Sequence, residues 1–146
     1  MLKKAVYLIV LNFIVLSVSY AQNADDIKGL WLTEDKEAKV LIYKDKGEYF
    51  GKIFWLKTEK ENGHIRKDSN NKDPKLRNQP LNKVHLIHSL EYADGQWSGG
   101  KIYDPESGET YKCLVKLIGN DRIEVRGYIG LPSFGKSLYW ERISEE

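Results

Sequence analysis

Cysteine is nearly absent from this sequence of 146 residues, which contains only Cys113. A single thiol cannot form a disulfide within the chain, so packing and hydrogen bonds must stabilise the fold. Cys113 lies in an alternating run with Tyr111, Val115 and Leu117, which is typical of one face of a strand. We therefore expect a buried, unreactive thiol instead of a nucleophile.

An excess of charge of one sign is also missing. The 23 Lys and Arg residues are nearly balanced by 21 Asp and Glu residues, which gives a net charge of +2. Proteins that bind nucleic acids usually carry a clear basic excess, so the sequence predicts no nucleic-acid partner. A disordered chain is excluded as well, because 41% of the residues are hydrophobic and 12% are aromatic.

Motifs for catalysis and cofactor binding are lacking too. The sequence contains no Gly-x-Ser-x-Gly elbow, no Walker-type phosphate loop and no Gly-x-Gly-x-x-Gly. Of the three histidines, His64 lies in a predicted loop, and His85 and His88 lie three residues apart in a predicted strand. Side chains at that spacing in a regular strand point to opposite faces. We therefore predict no metal site, no cofactor and no enzymatic activity.

Residues 1–21 have the features of a cleaved signal peptide. Two early lysines precede an apolar run at residues 6–16, and Ser19 and Ala21 place small residues where a signal peptidase cleaves. The alternative is an uncleaved membrane anchor, for which the apolar run is short. Cleavage after Ala21 would leave residues 22–146 as a single exported domain, soluble in the periplasm or secreted.

The rest of the sequence predicts an all-β fold. Short runs rich in Val, Ile, Tyr, Trp and Phe alternate with turn residues, and one long polar segment at 58–80 interrupts them. The eight predicted strands are residues 28–33, 38–43, 48–57, 83–92, 96–103, 110–118, 122–129 and 134–143. Short hairpins favour an antiparallel up-and-down barrel, which has no exposed edges, over a sandwich of two open sheets.

The two ends of the predicted barrel carry a pattern that resembles lipocalins and their calycin relatives. Gly29-Leu30-Trp31 begins the first strand, and Arg142 lies near the end of the last. An arginine can stack on the face of a tryptophan and donate to nearby carbonyls. The resemblance implies a structural role for Gly29, Trp31 and Arg142 in closing the barrel.

A fuller set of motifs resembles the bacterial family called domain of unknown function 2147. The matching motifs are Gly29-x-Trp31-x-Thr33, Ile42-Tyr43, Tyr49-x-Gly51-Lys52-Ile53-x-Trp55-Leu56-Lys57, Asp68, Asn71, Asp73-Pro74-x-Leu76-Arg77, Pro80-Leu81, Trp97-x-Gly99-Gly100-x-Ile102-Tyr103-Asp104-Pro105-x-x-Gly108-x-Thr110-Tyr111, Arg126-Gly127-Tyr128-Ile129-Gly130, Phe134-Gly135 and Trp140-x-Arg142. The chain departs from the usual family pattern at Gln79, where arginine is common, and around Pro132-Ser133 and Lys136-Ser137. The resemblance implies an exported lipocalin-like barrel and no established activity.

The long polar segment is expected to be fastened to the barrel by charged residues. Asp68 and Asp73 are both close in sequence to Arg77. Because an Arg–carboxylate pair can hold an otherwise irregular segment, we predict that Arg77 pairs with one of these two acids. A second interpretation places these residues with Asp104 in a polar cluster near one mouth of the barrel.

A ligand site is predicted inside the barrel. Alternation places Trp55 on the inward face of the third strand with Tyr49, Gly51 and Ile53. We expect the site to be bounded by Trp55, Arg77, Asp104, Tyr111 and Gly127 and to accept a small apolar or amphipathic molecule. The alternative is a structural or protein-interaction module of the cell envelope, with an envelope protein as partner and a barrel filled by its own side chains.

Overall fold

The computed structural model describes residues 21–144, so residues 1–20 of the predicted signal peptide lie outside the described part of the chain. Ten β-strands follow one another in these residues. They are β1 (Gly29–Leu32), β2 (Ala38–Asp45), β3 (Glu48–Leu56), β4 (Lys60–Glu61), β5 (His64–Ile65), β6 (His85–Ala93), β7 (Gln96–Asp104), β8 (Glu109–Ile118), β9 (Arg122–Tyr128) and β10 (Lys136–Ile143).

Eight of these strands close into an antiparallel barrel. Their order around the barrel is β1-β10-β9-β8-β7-β6-β3-β2, and β2 pairs back with β1. Trp31 in β1 lies opposite Arg142 in β10, so the first and last strands meet at the seam. This closed sheet confirms the predicted eight-stranded antiparallel barrel, and the alternative of two open sheets is wrong.

Helical structure in residues 21–144 is limited to three short 3-10 helices. They are Ala24–Ile27, Leu81–Lys83 and Pro132–Phe134. No helix in this part of the chain is long and apolar enough to cross a membrane. The second helix ends at Lys83, the residue at which the sequence predicts the fourth strand to begin, and it leads the chain into β6.

The connection between β3 and β6 contains a small hairpin that the sequence pattern did not predict. Asn62 and Gly63 have positive φ angles of 51° and 79°, and they turn β4 back onto β5. Asn-Gly is the preferred pair for such a two-residue turn. A bridge between Lys67 and Pro80 then closes the remainder of the connection into a loop.

A β-bulge in β3 reverses the predicted orientation of Trp55. Ile53 pairs with Val40 and Trp55 pairs with Lys39, so Phe54 is an extra residue on the bulged strand. A bulge shifts the inside–outside alternation by one position. Trp55 therefore faces outward, where the Lys39 ammonium lies 5.1 Å from its ring centre, and the prediction that it faces inward is wrong.

A second bulge brings two histidines onto the same side of the sheet. Lys52 pairs with His85 and Gly51 pairs with Ile87, which leaves Leu86 as the extra residue in β6. The rings of His85 and His88 lie 6.1 Å apart. The prediction that these two side chains point to opposite faces is wrong, because it assumed an unbroken alternation.

Three aromatic side chains and the first 3-10 helix fill one end of the barrel. Trp31, Tyr49 and Trp97 are almost completely buried there. Their polar atoms all donate to the helix: Trp31 Nε1 to the Ile27 carbonyl (2.9 Å), Trp97 Nε1 to the Ala24 carbonyl (2.9 Å) and the Tyr49 hydroxyl to the Asp25 carboxylate (2.7 Å). The helix therefore acts as a plug, and this end of the barrel is closed.

Cys113 lies in the core of the barrel, as predicted. It is fully buried and pairs with Gly100 and Gly127 on the neighbouring strands. Burial raises the pKa of its thiol to about 12. The thiol therefore stays protonated at neutral pH and behaves as a small apolar side chain.

Candidate functional site

The barrel is hollow at the end opposite the plug. A cavity of about 810 Å³ opens there between the turns that join β1 to β2, β7 to β8 and β9 to β10. Its main apolar and aromatic residues are Ala38, Ile53, Leu56, Leu81, Leu86, Ile102, Tyr103, Tyr111, Val125, Leu138 and Trp140. Both the size and the lining are typical of sites for small molecules, which span roughly 300–1,000 Å³.

Three of the five residues predicted to bind a ligand line this cavity. They are Asp104, Tyr111 and Gly127. Trp55 lies on the outside of the barrel because of the bulge in β3. Arg77 lies in the β3–β6 connection, away from the cavity wall. Sequence alternation located the correct strands, but it could not locate the bulge.

Asp104 lies at the rim of the cavity, but its carboxylate is already engaged in the β7–β8 turn. One oxygen accepts a hydrogen bond from the Glu106 backbone N–H (3.0 Å), and the other accepts one from the Ser107 hydroxyl (2.7 Å). This arrangement is a turn stabilised by an aspartate. Asp104 therefore shapes the rim, and each of its carboxylate oxygens can still accept a further hydrogen bond.

Gly51 and Gly127, both predicted to face the interior of the barrel, have different neighbours. A methyl group at Gly127 would lie 3.3 Å from Ile102 Cγ2 and 3.6 Å from Tyr111 Cβ, both of which belong to the cavity wall. A methyl group at Gly51 would instead lie 3.1 Å from Ile87 Cβ in the packed core. A side chain would be tight at both positions, but only at Gly127 would it press against residues of the cavity wall.

Trp140 contributes a buried ring to the cavity wall. Its side chain is only 2% exposed, and its Nε1 atom has no hydrogen-bond partner among residues 21–144. An unpaired buried donor costs about 1–3 kcal/mol relative to a paired one. The apolar contacts of the indole must therefore offset this cost. Because the ring lies in the wall, its fluorescence should respond to changes in the cavity.

The rim of the cavity is mainly acidic. The carboxylates of the rim are those of Glu34, Asp35, Glu37, Asp104 and Glu106, and the basic side chains are those of Arg66 and Lys136. Lys57 forms an exposed ion pair with Glu37 (2.9 Å) and offsets one of these charges. The excess of carboxylates gives the mouth a negative potential, which disfavours anionic ligands.

Asp68 fastens the β3–β6 connection to the barrel. Its side chain is wholly buried, and one oxygen accepts a 2.6 Å hydrogen bond from the hydroxyl of Tyr103 in β7. The other oxygen accepts hydrogen bonds from the side-chain amides of Asn71 (2.7 Å) and Gln79 (3.1 Å). Burial, followed by the bond to Asp68, raises the pKa of Tyr103 well above its usual range.

Arg77 does not make the predicted ion pair. Its Nε donates to the backbone carbonyl of Asn71 at 2.7 Å, and no carboxylate within residues 21–144 lies at ion-pair distance from it. Asp73 accepts a hydrogen bond from the Lys75 backbone N–H (2.9 Å), so it stabilises a local turn. The predicted pairing is therefore wrong, and Asp68 holds the segment through neutral donors.

The same segment also contacts the β7–β8 turn. The side-chain amide of Asn70 donates to the carbonyl of Glu106 (2.8 Å), and Lys72 pairs with Glu109 (2.6 Å). Gly108 has a φ of +72°, and a Cβ at this position would collide with the Asn70 carbonyl. The connection is therefore packed tightly on the turn that borders the cavity.

The two histidines lie in a second, external cleft between the β3–β6 connection and strands β6 to β8. Burial lowers the pKa of His85, and the neighbouring charges of His88 and Lys52 lower it further. The Tyr43 hydroxyl lies 3.0 Å from His85 Nε2. Within residues 21–144, no group of three or more His, Cys, Asp or Glu side chains is placed to hold a metal ion.

The predicted closure residues meet at the plugged end of the barrel. The Arg142 guanidinium lies 4.2 Å from the centre of the Trp31 ring. It also donates to the carbonyls of Asp26 (2.5 Å), Lys28 (2.9 Å) and Asn120 (2.8 Å). A Cβ at Gly29 would lie 2.9 Å from this guanidinium, so glycine allows the close approach.

Several residues of the cavity wall were not found by sequence reasoning. Leu56 points inward only because of the β3 bulge, and Leu86 is the bulged residue of β6. Leu81 reaches the wall from the 3-10 helix that ends the long connection. The one available signal was the Pro80-Leu81 motif, which places an apolar residue at the end of the polar segment.

Comparisons with known proteins agree with this architecture. The family model for "Uncharacterized protein conserved in bacteria (DUF2147)" matches residues 29–142. The structure of protein HP1028 from the human pathogen Helicobacter pylori, described as belonging to the lipocalin family, is similar with a TM-score of 0.71. The match has 24% sequence identity and covers 81% of this chain and 83% of that one. The search of curated proteins gave no match.

Proposed function

This chain belongs to the DUF2147 family of bacterial proteins, and we propose that it binds a small apolar or amphipathic molecule in the cavity of its barrel. The observation that carries the proposal is an apolar cavity of about 810 Å³ beneath an open mouth. Barrels of eight strands can enclose one small ligand. The lipocalin-like fold is compatible with this role.

The lining determines which molecules the cavity favours. Ile53, Leu56, Val125 and Leu138 present aliphatic surface, which stabilises a ligand by burial of its apolar groups. The carboxylates at the rim favour a neutral or cationic polar group at the mouth over an anionic one. A molecule with an apolar body and a neutral or cationic head therefore fits best.

Uptake of a neutral fluorescent probe, N-phenyl-1-naphthylamine, tests the proposal. We expect the probe to bind with enhanced emission and to change the fluorescence of Trp140, which lies in the wall. Gly127→Leu should abolish binding, because the new side chain projects between Ile102 and Tyr111. Lys116→Leu is the matched control, since it adds the same side chain at an exposed position of β8.

The result also separates this proposal from the alternative of an interaction module with a filled barrel. Loss of probe binding in Gly127→Leu alone, with unchanged circular dichroism, supports a site inside the barrel. Failure of the native protein to take up the probe, or equal loss in both variants, would overturn the binding proposal. The interaction module would then be the better explanation.

We further propose that the protein is exported and acts by binding, without catalysing a reaction. The proposal of export rests on the charged and apolar pattern of residues 1–21 and on the small residues at Ser19 and Ala21. Mass analysis of the purified protein should give an N terminus at Gln22. A product that retains residues 1–21 would contradict cleavage.

A further inference from the structure

The turn between β9 and β10 exposes three large apolar side chains. Ile129 is 72% exposed, Leu131 is 62% exposed and Phe134 is 77% exposed. Single exposed apolar residues are ordinary, but three within six residues form a patch of the kind that usually marks an interaction site. We call these three residues the apolar tip. It borders the cavity mouth, because Ile129 and Phe134 also contribute to the cavity wall.

The backbone that carries the apolar tip is fixed by Arg126. The guanidinium of Arg126 donates to the carbonyls of Pro132 (2.6 Å) and Gly135 (3.1 Å) and to the Ser137 hydroxyl (2.7 Å). The Ser137 hydroxyl in turn donates to the Glu124 carboxylate. The polar network therefore holds the backbone of residues 132–135, so little backbone entropy remains to be lost there when the tip binds.

The same network pairs part of the backbone of this turn within the protein. Two backbone bonds of the 3-10 helix, from Phe134 N–H to the Leu131 carbonyl (3.0 Å) and from Gly135 N–H to the Pro132 carbonyl (3.2 Å), add to those from Arg126. The carbonyls of Leu131, Pro132 and Gly135 are thus all paired within the protein. Carbonyls that are already paired lose no hydrogen bond to water when the turn enters the less hydrated interface of a bilayer.

The shape of the tip fits a lipid surface better than a protein surface. A stable protein interface buries about 800 Å² on each partner and needs a matching surface around its centre. The tip consists of only three side chains, and the turns on either side carry the rim carboxylates, including those of Glu34 and Glu106. A bilayer accepts an isolated apolar projection without a matching surface.

The charge of the flanking turns defines the kind of lipid. Carboxylates on both sides of the tip outnumber the exposed cation next to it, Lys136, and would repel an anionic membrane surface. We propose that the apolar tip of Ile129, Leu131 and Phe134 inserts into the interface of a zwitterionic lipid bilayer, so that the cavity mouth faces the membrane. This contact goes beyond the binding of a small molecule and does not require the cavity to be occupied.

Binding to lipid vesicles tests this inference. Purified protein, checked by mass so that no variant retains residues 1–21, is sedimented with phosphatidylcholine vesicles. We expect the native protein to bind, and Leu131→Ser and Phe134→Ser each to weaken partitioning about tenfold, because each removes one large buried apolar group. Ile118→Ser is the matched control, since Ile118 is also exposed, at 44%, but lies at the plugged end.

Two further measurements define the mode of binding. Phe134→Trp should place a new indole in the bilayer, so that dibrominated phosphatidylcholine quenches its emission. Adding 30% phosphatidylglycerol to the vesicles should weaken binding at low salt. The probe-binding assay remains a separate readout, because Leu131 does not belong to the cavity wall and Leu131→Ser should keep probe uptake.

Clear outcomes would overturn the inference. Absence of binding by the native protein, an equal loss in Ile118→Ser, or binding that requires phosphatidylglycerol would each contradict it. Sedimentation velocity addresses self-association: a dimer that Leu131→Ser abolishes, without vesicle binding, would assign the tip to a second copy of the chain. Loss of probe uptake with retained vesicle binding would contradict only the proposed function.

Discussion

The buried carboxylate of Asp68 and the hydroxyl of Tyr103, which lie 35 residues apart in the chain, form a 2.6 Å hydrogen bond that joins the β3–β6 connection to the barrel. Tyr103 also belongs to the cavity wall. One side chain therefore links the order of the long connection to the shape of the cavity. The connection is held at one buried point instead of by surface ion pairs.

Removal of this hydroxyl should loosen the connection. Tyr103→Phe leaves the buried Asp68 carboxylate without its shortest hydrogen bond, so we expect the free energy of unfolding to fall by about 1.5–3 kcal/mol. Trypsin cleavage at Lys72, Lys75 and Arg77 should become faster. Tyr111→Phe is the control, since it removes a hydroxyl from a different part of the wall. Equal protease sensitivity in both variants would contradict the anchoring role of Asp68.

A substitution at Gln79 should strengthen the same anchor. The Gln79 side chain donates to the Asp68 carboxylate at 3.1 Å. Gln79→Arg would replace a neutral donor by a charged one, which should raise the free energy of unfolding by about 1 kcal/mol. Urea denaturation measures this change, with Gln79→Leu as the control that should lose stability. A less stable arginine variant would show that the site cannot accommodate the guanidinium.

The sequence predicted the barrel well because the residues of each strand show the strand pattern by themselves. Alternating apolar residues and short polar turns marked all eight strands, and Trp31 and Arg142 marked the two strands that close the sheet. The bulges at Phe54 and Leu86 were not predictable from alternation, because a bulge depends on the pairing of two strands. After each bulge, the side chains of the strand point to the face opposite to the one that unbroken alternation predicts.

The candidate site was predicted less completely, since it depends on contacts between distant segments. The sequence suggested Arg77 as the partner of Asp68 because the two are close in the chain. The buried carboxylate of Asp68 instead accepts from neutral donors, which are the hydroxyl of Tyr103 and two amides of the same connection. Gly127 and Tyr111 were found because they lie in regular strands.

Arg142 should contribute more to stability than an exposed arginine with a similar aromatic contact. Arg142→Ala should lower the free energy of unfolding by about 2–3 kcal/mol, because it removes the contact with Trp31 and three hydrogen bonds to carbonyls. Arg142→Lys should recover only part of this loss, since an ammonium lacks the planar fork. Arg122→Ala is the control, because Arg122 lies 4.5 Å from the Tyr139 ring on the outer surface. Equal losses at the two positions would contradict a special role for the seam.

The pKa of His85 should be lowered by its surroundings in the external cleft. Burial and the charges of His88 and Lys52 favour neutral imidazole in the folded state, so NMR should give a pKa for His85 below 6.5. Near pH 6.5 the unfolded chain therefore binds more protons at His85 than the folded protein does. The free energy of unfolding consequently decreases as the pH falls through about 6.5. Lys52→Met should raise the pKa of His85 part of the way back. A pKa at or above 6.5 in the native protein would contradict the arrangement.

Trp140 and Trp31 are both almost fully buried, but only Trp31 has a partner for its indole nitrogen, the Ile27 carbonyl at 2.9 Å. Replacing either residue by phenylalanine removes similar apolar surface. At Trp140 the change also removes an unpaired donor, and at Trp31 it leaves a buried carbonyl without its partner. We therefore expect Trp31→Phe to cost at least about 1 kcal/mol more than Trp140→Phe in urea denaturation. An equal or larger loss for Trp140→Phe would show that the indole nitrogen of Trp140 does find a hydrogen-bond partner.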